Sequence, residues 1–284
     1  MRAQPAKSSE WRRRFADEAR SERPDLSLLC LLLSGEADPE LDEAGIDAAQ
    51  IELDKLAGQL PFRPGGPREW ATAAAELLGG QHGFHGTPPD YQRLESSLLH
   101  QVLRRRRGLP ILLSVVWIEV ARRAGAPVYG VALPGHFVVG FGSPDAYGKP
   151  EQVLADPFNG GRLLSTEDAE QLVAQASGGR LNPSLLSAAD PLNIMLRILN
   201  NIRAWAAARS ERSHVALWAL ELSLLLPSHP ARLRYERAHL LVERGDFLAG
   251  ARGLDEYAEV VASIEPTTAE RVRLEARAAR AKLN

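Results

Sequence analysis

Between Pro110 and Arg123 the chain reads Pro-Ile-Leu-Leu-Ser-Val-Val-Trp-Ile-Glu-Val-Ala-Arg-Arg, and only Ser114, Glu119, Arg122 and Arg123 are polar. A helix that is apolar on nearly every side belongs at the centre of a core, not on a surface. Pro110 suits its first position, where the missing N–H has no partner within the helix anyway. Gly-Leu-Pro (108–110) leads into the segment and Gly-Ala-Pro (125–127) follows it. Strands are expected at Val128–Leu133, Phe137–Phe141 and Gln152–Ala155, with a turn over Gly142–Pro150. This pattern puts His136 at the opening of one strand and Asp156 at the end of the next.

The flanks read as helices. The first ten or so residues are polar and expected to fray. Trp11–Leu33 reads as helical with a break near Arg23-Pro24. Asp38–Leu60 places Ile46, Ala49, Leu53, Leu56, Ala57 and Leu60 on one stripe. Prolines and glycines at 61–67 mark a break, and Trp70–Leu78 is expected as a short helix that Gly79-Gly80 ends. Gly83–Tyr91 reads as a loop and Tyr91–Leu103 as a helix. Ser165-Thr-Glu-Asp168 has the form of a capping box for a helix ending near Gly178-Gly179. From Leu192 the chain reads as four helices, Leu192–Ala208, Ser213–Leu226, Ala231–Arg244 and Phe247–Ile264, with a turn at Gly245-Asp246. They resemble two tetratricopeptide-type hairpins; two are too few for a free-standing array.

Composition narrows the classes of function. The chain has 284 residues and a net charge of −2, which gives no electrostatic reason to expect nucleic acid or an anionic membrane as partner. The single cysteine, Cys30, excludes an internal disulfide framework and a multi-cysteine metal site. The longest early apolar run, Leu26–Leu33, is far too short to span a bilayer and follows acidic residues, unlike a signal peptide. A cytoplasmic protein is expected.

The order helix, histidine-opened strand, aspartate-ended strand resembles the transglutaminase-like, papain-related core. Gly83-Phe-His-Gly, Asp90-Tyr91, Val102-Leu-Arg-Arg-Arg-Arg-Gly-Leu-Pro110, Pro134-Gly-His-Phe137, Asp156-Pro-Phe-Asn-Gly-Gly161 and Met195-Leu-Arg-Ile-Leu-Asn-Asn201 are together similar to the SirB-type transglutaminase-like family of bacterial proteins. The resemblance runs from about residue 25 to 265 and departs at Ser96-Ser97, where the family usually has Asn-Ser. It implies an α+β fold: a core with a central buried helix and a small antiparallel sheet, flanked by N-terminal helices and a C-terminal helical repeat domain. The divisions expected are 1–66, 67–190 and 191–284. It also associates the chain with regulation or partner binding. In the enzymatic relatives a Gly-x-Cys triplet starts the central helix, and the later His and Asp complete a triad. Here Gly108-Leu-Pro110 stands on that triplet.

Proline offers no nucleophile, acid or N–H, so thiolate catalysis at a helix N-terminus cannot run at Pro110. Ser114, one turn further on, is a weak substitute and is expected to be a hydrogen-bonded core residue. Cys30 in its Leu-rich helix is expected to act as a small apolar side chain. His136 and Asp156 read equally as a working dyad and as a structural pair. Asn159, Tyr91 and His85 are weaker binding candidates. His82, His85 and Asp90 are too loosely spaced for a metal claim. The run Arg104–Arg107 reads as a solvated helix cap. The expected function is a non-catalytic regulator or adaptor that binds a protein or peptide, with no cofactor, nucleic acid or membrane. Two alternatives stay open: a hydrolase or acyl-transfer enzyme built on His136 and Asp156 with a non-cysteine nucleophile, and a structural subunit of a larger assembly. Oligomeric state is open.

Overall fold

The computed structural model describes residues 5–62, 65–144 and 152–283, so most of the turn expected at Gly142–Pro150 lies outside the described residues. The chain divides into two compact units. One comprises Ser21–Ile198 with the N-terminal residues to Arg14, the other Leu199–Asn284 with Phe15–Arg20.

Helix α1 (Pro5–Ala19) already begins at Pro5, within the stretch expected to fray. Helices α2 (Leu26–Ala37) and α3 (Glu43–Ala57) are capped by Asp25 and Asp42, whose carboxylates accept from the Leu28 and Gly45 amides. The stripe read on α3 is buried, from Ile46 through Ala57, and Leu60 with it.

Helix α4 (Pro67–Ala74) does not stop at Gly79-Gly80. It widens into a π-helical turn, Ala75–Gln81, that carries both glycines. The reason is a close approach of two backbones: a Cβ on Gly79 would overlap the carbonyl oxygen of Gly160. Gly79 is therefore a packing residue and not a helix stop. Gly79→Ala should destabilise this unit by about 2–3 kcal/mol, since the overlap falls on main chain that no rotamer change relieves. A denaturant-midpoint shift no larger than that of Gly58→Ala, at a right-handed φ of −66° where the added Cβ would make only ordinary contacts from 3.5 Å, would contradict it.

The expected Tyr91–Leu103 helix is instead two 3₁₀ turns, Pro88–Gln92 and Leu94–Ser97, followed by helix α5 (Leu99–Arg105). Asp90 explains the interruption. Its carboxylate, 2% exposed, accepts from the Thr87 amide at 2.9 Å and hydroxyl at 2.8 Å, closing a capping box. It also meets Arg105 and Arg107, each at 3.3 Å. The arginine run is thus no solvated cap. Arg106 sits at φ 56° where α5 ends, lies 4.6 Å from the Phe84 ring centroid and pairs with Glu52 at 2.5 Å; only Arg104 of the four is exposed.

Helix α6 (Pro110–Arg123) is buried from Pro110 to Ala121 and has Pro110 in its first turn. The sheet is an antiparallel meander of β1 (Val128–Val131), β2 (Val138–Gly142), β3 (Gln152–Asp156) and β4 (Arg162–Leu164). Val131 faces Val138, Val139 faces Ala155 and Asp156 faces Arg162. Helix α7 (Thr166–Ser177) has the capping box of Ser165 and Asp168 and ends at Gly178, φ 67°. Its Ala169 and Val173 pack on Val131, Leu133, Val138 and Leu154.

The second unit takes the C-terminal part of α8 (Pro191–Ala207), then α9 (Ser213–Leu225), α10 (Arg232–Glu243), α11 (Phe247–Val261) and α12 (Pro266–Ala281). The last helix lies beyond the four expected, and Pro266 opens it. Gly245, at φ 87°, and the Asp246 cap make the α10–α11 turn. Ala238, Leu254, Ala258, Ala269, Val272 and Ala276 form the core of these three helices.

Candidate functional site

The loop before β2 carries His136 and is held by its own turn and by α8. Gly135 adopts φ 67°, and Arg197 of α8 donates to the carbonyls of Leu133 and His136, both at 2.7 Å. Arg197 also lies 5.5 Å from the Phe137 ring centroid. It fixes the direction in which His136 leaves the sheet, although its acceptors are main-chain atoms more than sixty positions earlier.

His136 and Asp156 meet, Nε2 to Oδ1 at 2.9 Å. Asp156 is 1% exposed and accepts further bonds from the Phe158 amide at 3.0 Å and the Asn159 side-chain amide at 2.6 Å. Burial by itself would raise its pKa; the bonds from His136, Asn159 and the Phe158 amide outweigh that and hold it below the ordinary carboxylate value. An anionic Asp156 fixes an imidazole proton on Nε2, which leaves Nδ1 facing away from that bond. No described residue bonds to Nδ1. Gly160 and Gly161, at φ 66° and 85°, turn the chain so that the Gly161 amide returns to the Asp156 carbonyl at 2.8 Å.

Pro110 is buried at the start of α6. Ser114, fully buried, donates to the Phe137 carbonyl at 3.2 Å and not to His136. That bond sets the first turn of α6 beside the start of β2. Cys30 is buried in α2, and burial pushes its thiol well above the usual value.

Phe158, which the sequence did not single out, joins the candidates. Its ring centroid lies 6.1 Å from His136, edge to face, and 5.9 Å from Tyr91. Tyr91 is 47% exposed, and its pKa is raised by burial and by the charge of Asp156. The loop Gly83–Gly86 backs this group: the Gly86 amide donates to the Phe158 carbonyl at 2.9 Å, and a Cβ on Gly86 would overlap the ring. His85 does not join it: its Nδ1 bonds the Gly83 carbonyl at 2.8 Å and its amide the Arg106 carbonyl. His82 bonds Gln59. Asn159 is engaged by Asp156 and does not stand free at the mouth. Among the described residues no group of three His, Cys, Asp or Glu side chains could hold a metal ion, and no helix is long and apolar enough to cross a membrane. The arrangement can exchange a proton or a hydrogen bond through Nδ1 beside two aromatic rings. Among the described residues no thiol or hydroxyl is hydrogen-bonded to that nitrogen.

Comparison with known proteins agrees with this fold. Residues 47–200 match the Transglutaminase-like superfamily and residues 202–281 a Tetratricopeptide repeat. A UPF0162 protein of Xylella fastidiosa (strain 9a5c) is 33% identical over 210 residues, covering 72% of this chain and 73% of that protein. UPF0162 protein PA3419 of Pseudomonas aeruginosa is 32% identical over 168 residues, 56% and 58% of the two chains. F-box only protein 21 of Mus musculus is 26% identical over 162 residues, 56% of this chain but 25% of that protein. With a transglutaminase-like α+β core, tetratricopeptide-like helices after it and bacterial relatives along most of its length, the chain belongs to the UPF0162 family of the transglutaminase-like superfamily.

Proposed function

We propose that the protein is a non-catalytic, cytoplasmic regulator or adaptor of the SirB-type, and that it binds a protein or peptide through its degenerate core and its helical repeats. The observation that supports the reading is the start of α6, where the residue that the resemblance sets against a nucleophile is a buried proline and the next hydroxyl, Ser114, is bonded to a main-chain carbonyl. The open Nδ1 of His136, with Tyr91 and Phe158 beside it, suits an extended ligand with main-chain donors. The repeats add a cleft of about 580 Å³, whose apolar floor includes Ala204, Leu220 and Leu240 and whose rim includes Arg203 and Glu243. The intact bond from His136 to Asp156 favours a second reading, general-base chemistry without a covalent intermediate.

A photo-crosslinking residue placed at Tyr91, and in a second protein at Glu243, tests the proposal in the producing cells. One discrete adduct common to both positions is expected, and His136→Ala should leave its yield within about fivefold, a loss of about 1 kcal/mol or less. Absence of a discrete adduct at both positions would refute the adaptor. Turnover of an acyl or amide substrate that His136→Ala abolishes would establish the enzyme instead.

A further inference from the structure

A second cavity lies at the other end of the central helix. Glu119 sits nine residues beyond Pro110, about 13 Å along α6, and is 1% exposed among the apolar residues Val115–Ala121. It lines a cavity of about 360 Å³ whose wall includes Ile118 and Ile194, with Arg23, Asp25 and Arg122 at its edge. That volume lies within the ordinary range of small-molecule sites. The contacts of Glu119 with Arg122 at 2.7 Å and Arg123 at 3.7 Å both fall on Oε2, and no described residue bonds to Oε1. Asp25 is engaged by the Leu28 amide at 2.9 Å and the Ser27 hydroxyl at 2.6 Å. Arg23 and Arg122 are exposed.

Charges of both signs select the ligand. A simple cation would meet two guanidinium groups at the edge, and a simple anion a buried carboxylate. A molecule that carries both charges on neighbouring atoms, with a branched hydrocarbon body, answers every wall of the cavity. We infer that this cavity binds a free amino acid with a branched apolar side chain, its ammonium on Glu119, its carboxylate between Arg23 and Arg122, and its side chain against Ile118 and Ile194. Burial raises the Glu119 carboxyl above its ordinary pKa, against the opposing pull of Arg122 and Arg123, and an ammonium bound at Oε1 adds to the counter-charge that the two arginines supply at Oε2. This site stands apart from His136 and does not depend on the adaptor reading.

Titration calorimetry of the full chain with L-leucine tests it, alongside 3-methylbutylamine, which lacks the carboxylate, and 4-methylpentanoate, which lacks the ammonium. Leucine should bind, and each truncated analogue should bind about tenfold more weakly or worse, the value of one lost charge-assisted contact. Glu119→Gln should cost leucine about tenfold. Arg23→Ala, at an exposed position that leaves the fold intact, should cost several-fold. The inference is overturned if leucine, isoleucine and valine give no binding up to about 10 mM. It is equally overturned if the folded Arg23→Ala protein binds leucine as tightly as the parent, which decides the matter even if Glu119→Gln does not fold.

Discussion

Asp156→Ala should destabilise the first unit by about 3–5 kcal/mol, the usual cost of removing one partner from a buried, fully bonded charge. Three donors lose their acceptor at once: His136 Nε2, the Phe158 amide and the Asn159 side chain. With them goes the cap that starts the 157–161 turn, on which Phe158 and the Gly79–Gly160 contact both depend. Amide exchange over 156–164 should therefore accelerate more than exchange in the remote α3. Asp156→Asn keeps an acceptor for one or two of the donors and should cost roughly half as much. The effect depends on pH in a stated direction. Because the folded-state pKa of Asp156 is depressed, the unfolded chain takes up its proton first as pH falls. The contribution is full well above the unfolded value of about 3.9 and fades as pH drops through the folded pKa. The stability gap between the parent and Asp156→Asn should accordingly be flat from neutral pH down to about 5 and narrow below about 4. A gap that is absent at pH 7, or that widens in acid, would mean that the carboxylate is not the keystone of this turn.

Sequence reading reached the parts of the fold that local chemistry writes down. The all-round apolar character of 110–123 marked the central helix, and Ser165 and Asp168 marked the start of α7. The order of His136 and Asp156 around two strands foretold their meeting at 2.9 Å. What escaped was written in distant partners. Gly79 reads locally as a stop, yet its missing side chain is required by Gly160, some eighty residues later. Arg105 and Arg107 look like solvated charges until the chain brings Asp90 beneath them. Pro266 carries the same signal as Pro110, and only the helix that follows distinguishes an opening from an ending. β4 has three residues, too few for an alternating pattern to register. Arg197 acts on backbone carbonyls, which leave no side-chain pattern to read.

Pro110→Cys should restore a reactive thiol. Burial opposes ionisation at this position, but the substituted residue would stand at the start of α6, where unpaired amides and the helix dipole favour a thiolate. Ser114, one turn on, already touches the Phe137 carbonyl, so this end of the helix runs beside the loop that presents His136 Nδ1. A drop in thiol pKa from about 8.5 to about 6 raises the thiolate fraction at pH 6 by roughly 150-fold. The weaker intrinsic nucleophilicity of a more acidic thiol takes back about tenfold, leaving alkylation roughly fifteen times faster than for an ordinary cysteine. In a Cys30→Ser background, iodoacetamide labelling followed by mass spectrometry from pH 5 to 9 gives both the rate and the pKa. Adding His136→Ala should move that pKa back up by a unit or more, because the imidazole and not the helix alone then proves to be the partner. A thiol that titrates near its free value with His136 present would show that the dyad does not face Pro110. The core would then be a binding scaffold whose histidine serves its own loop.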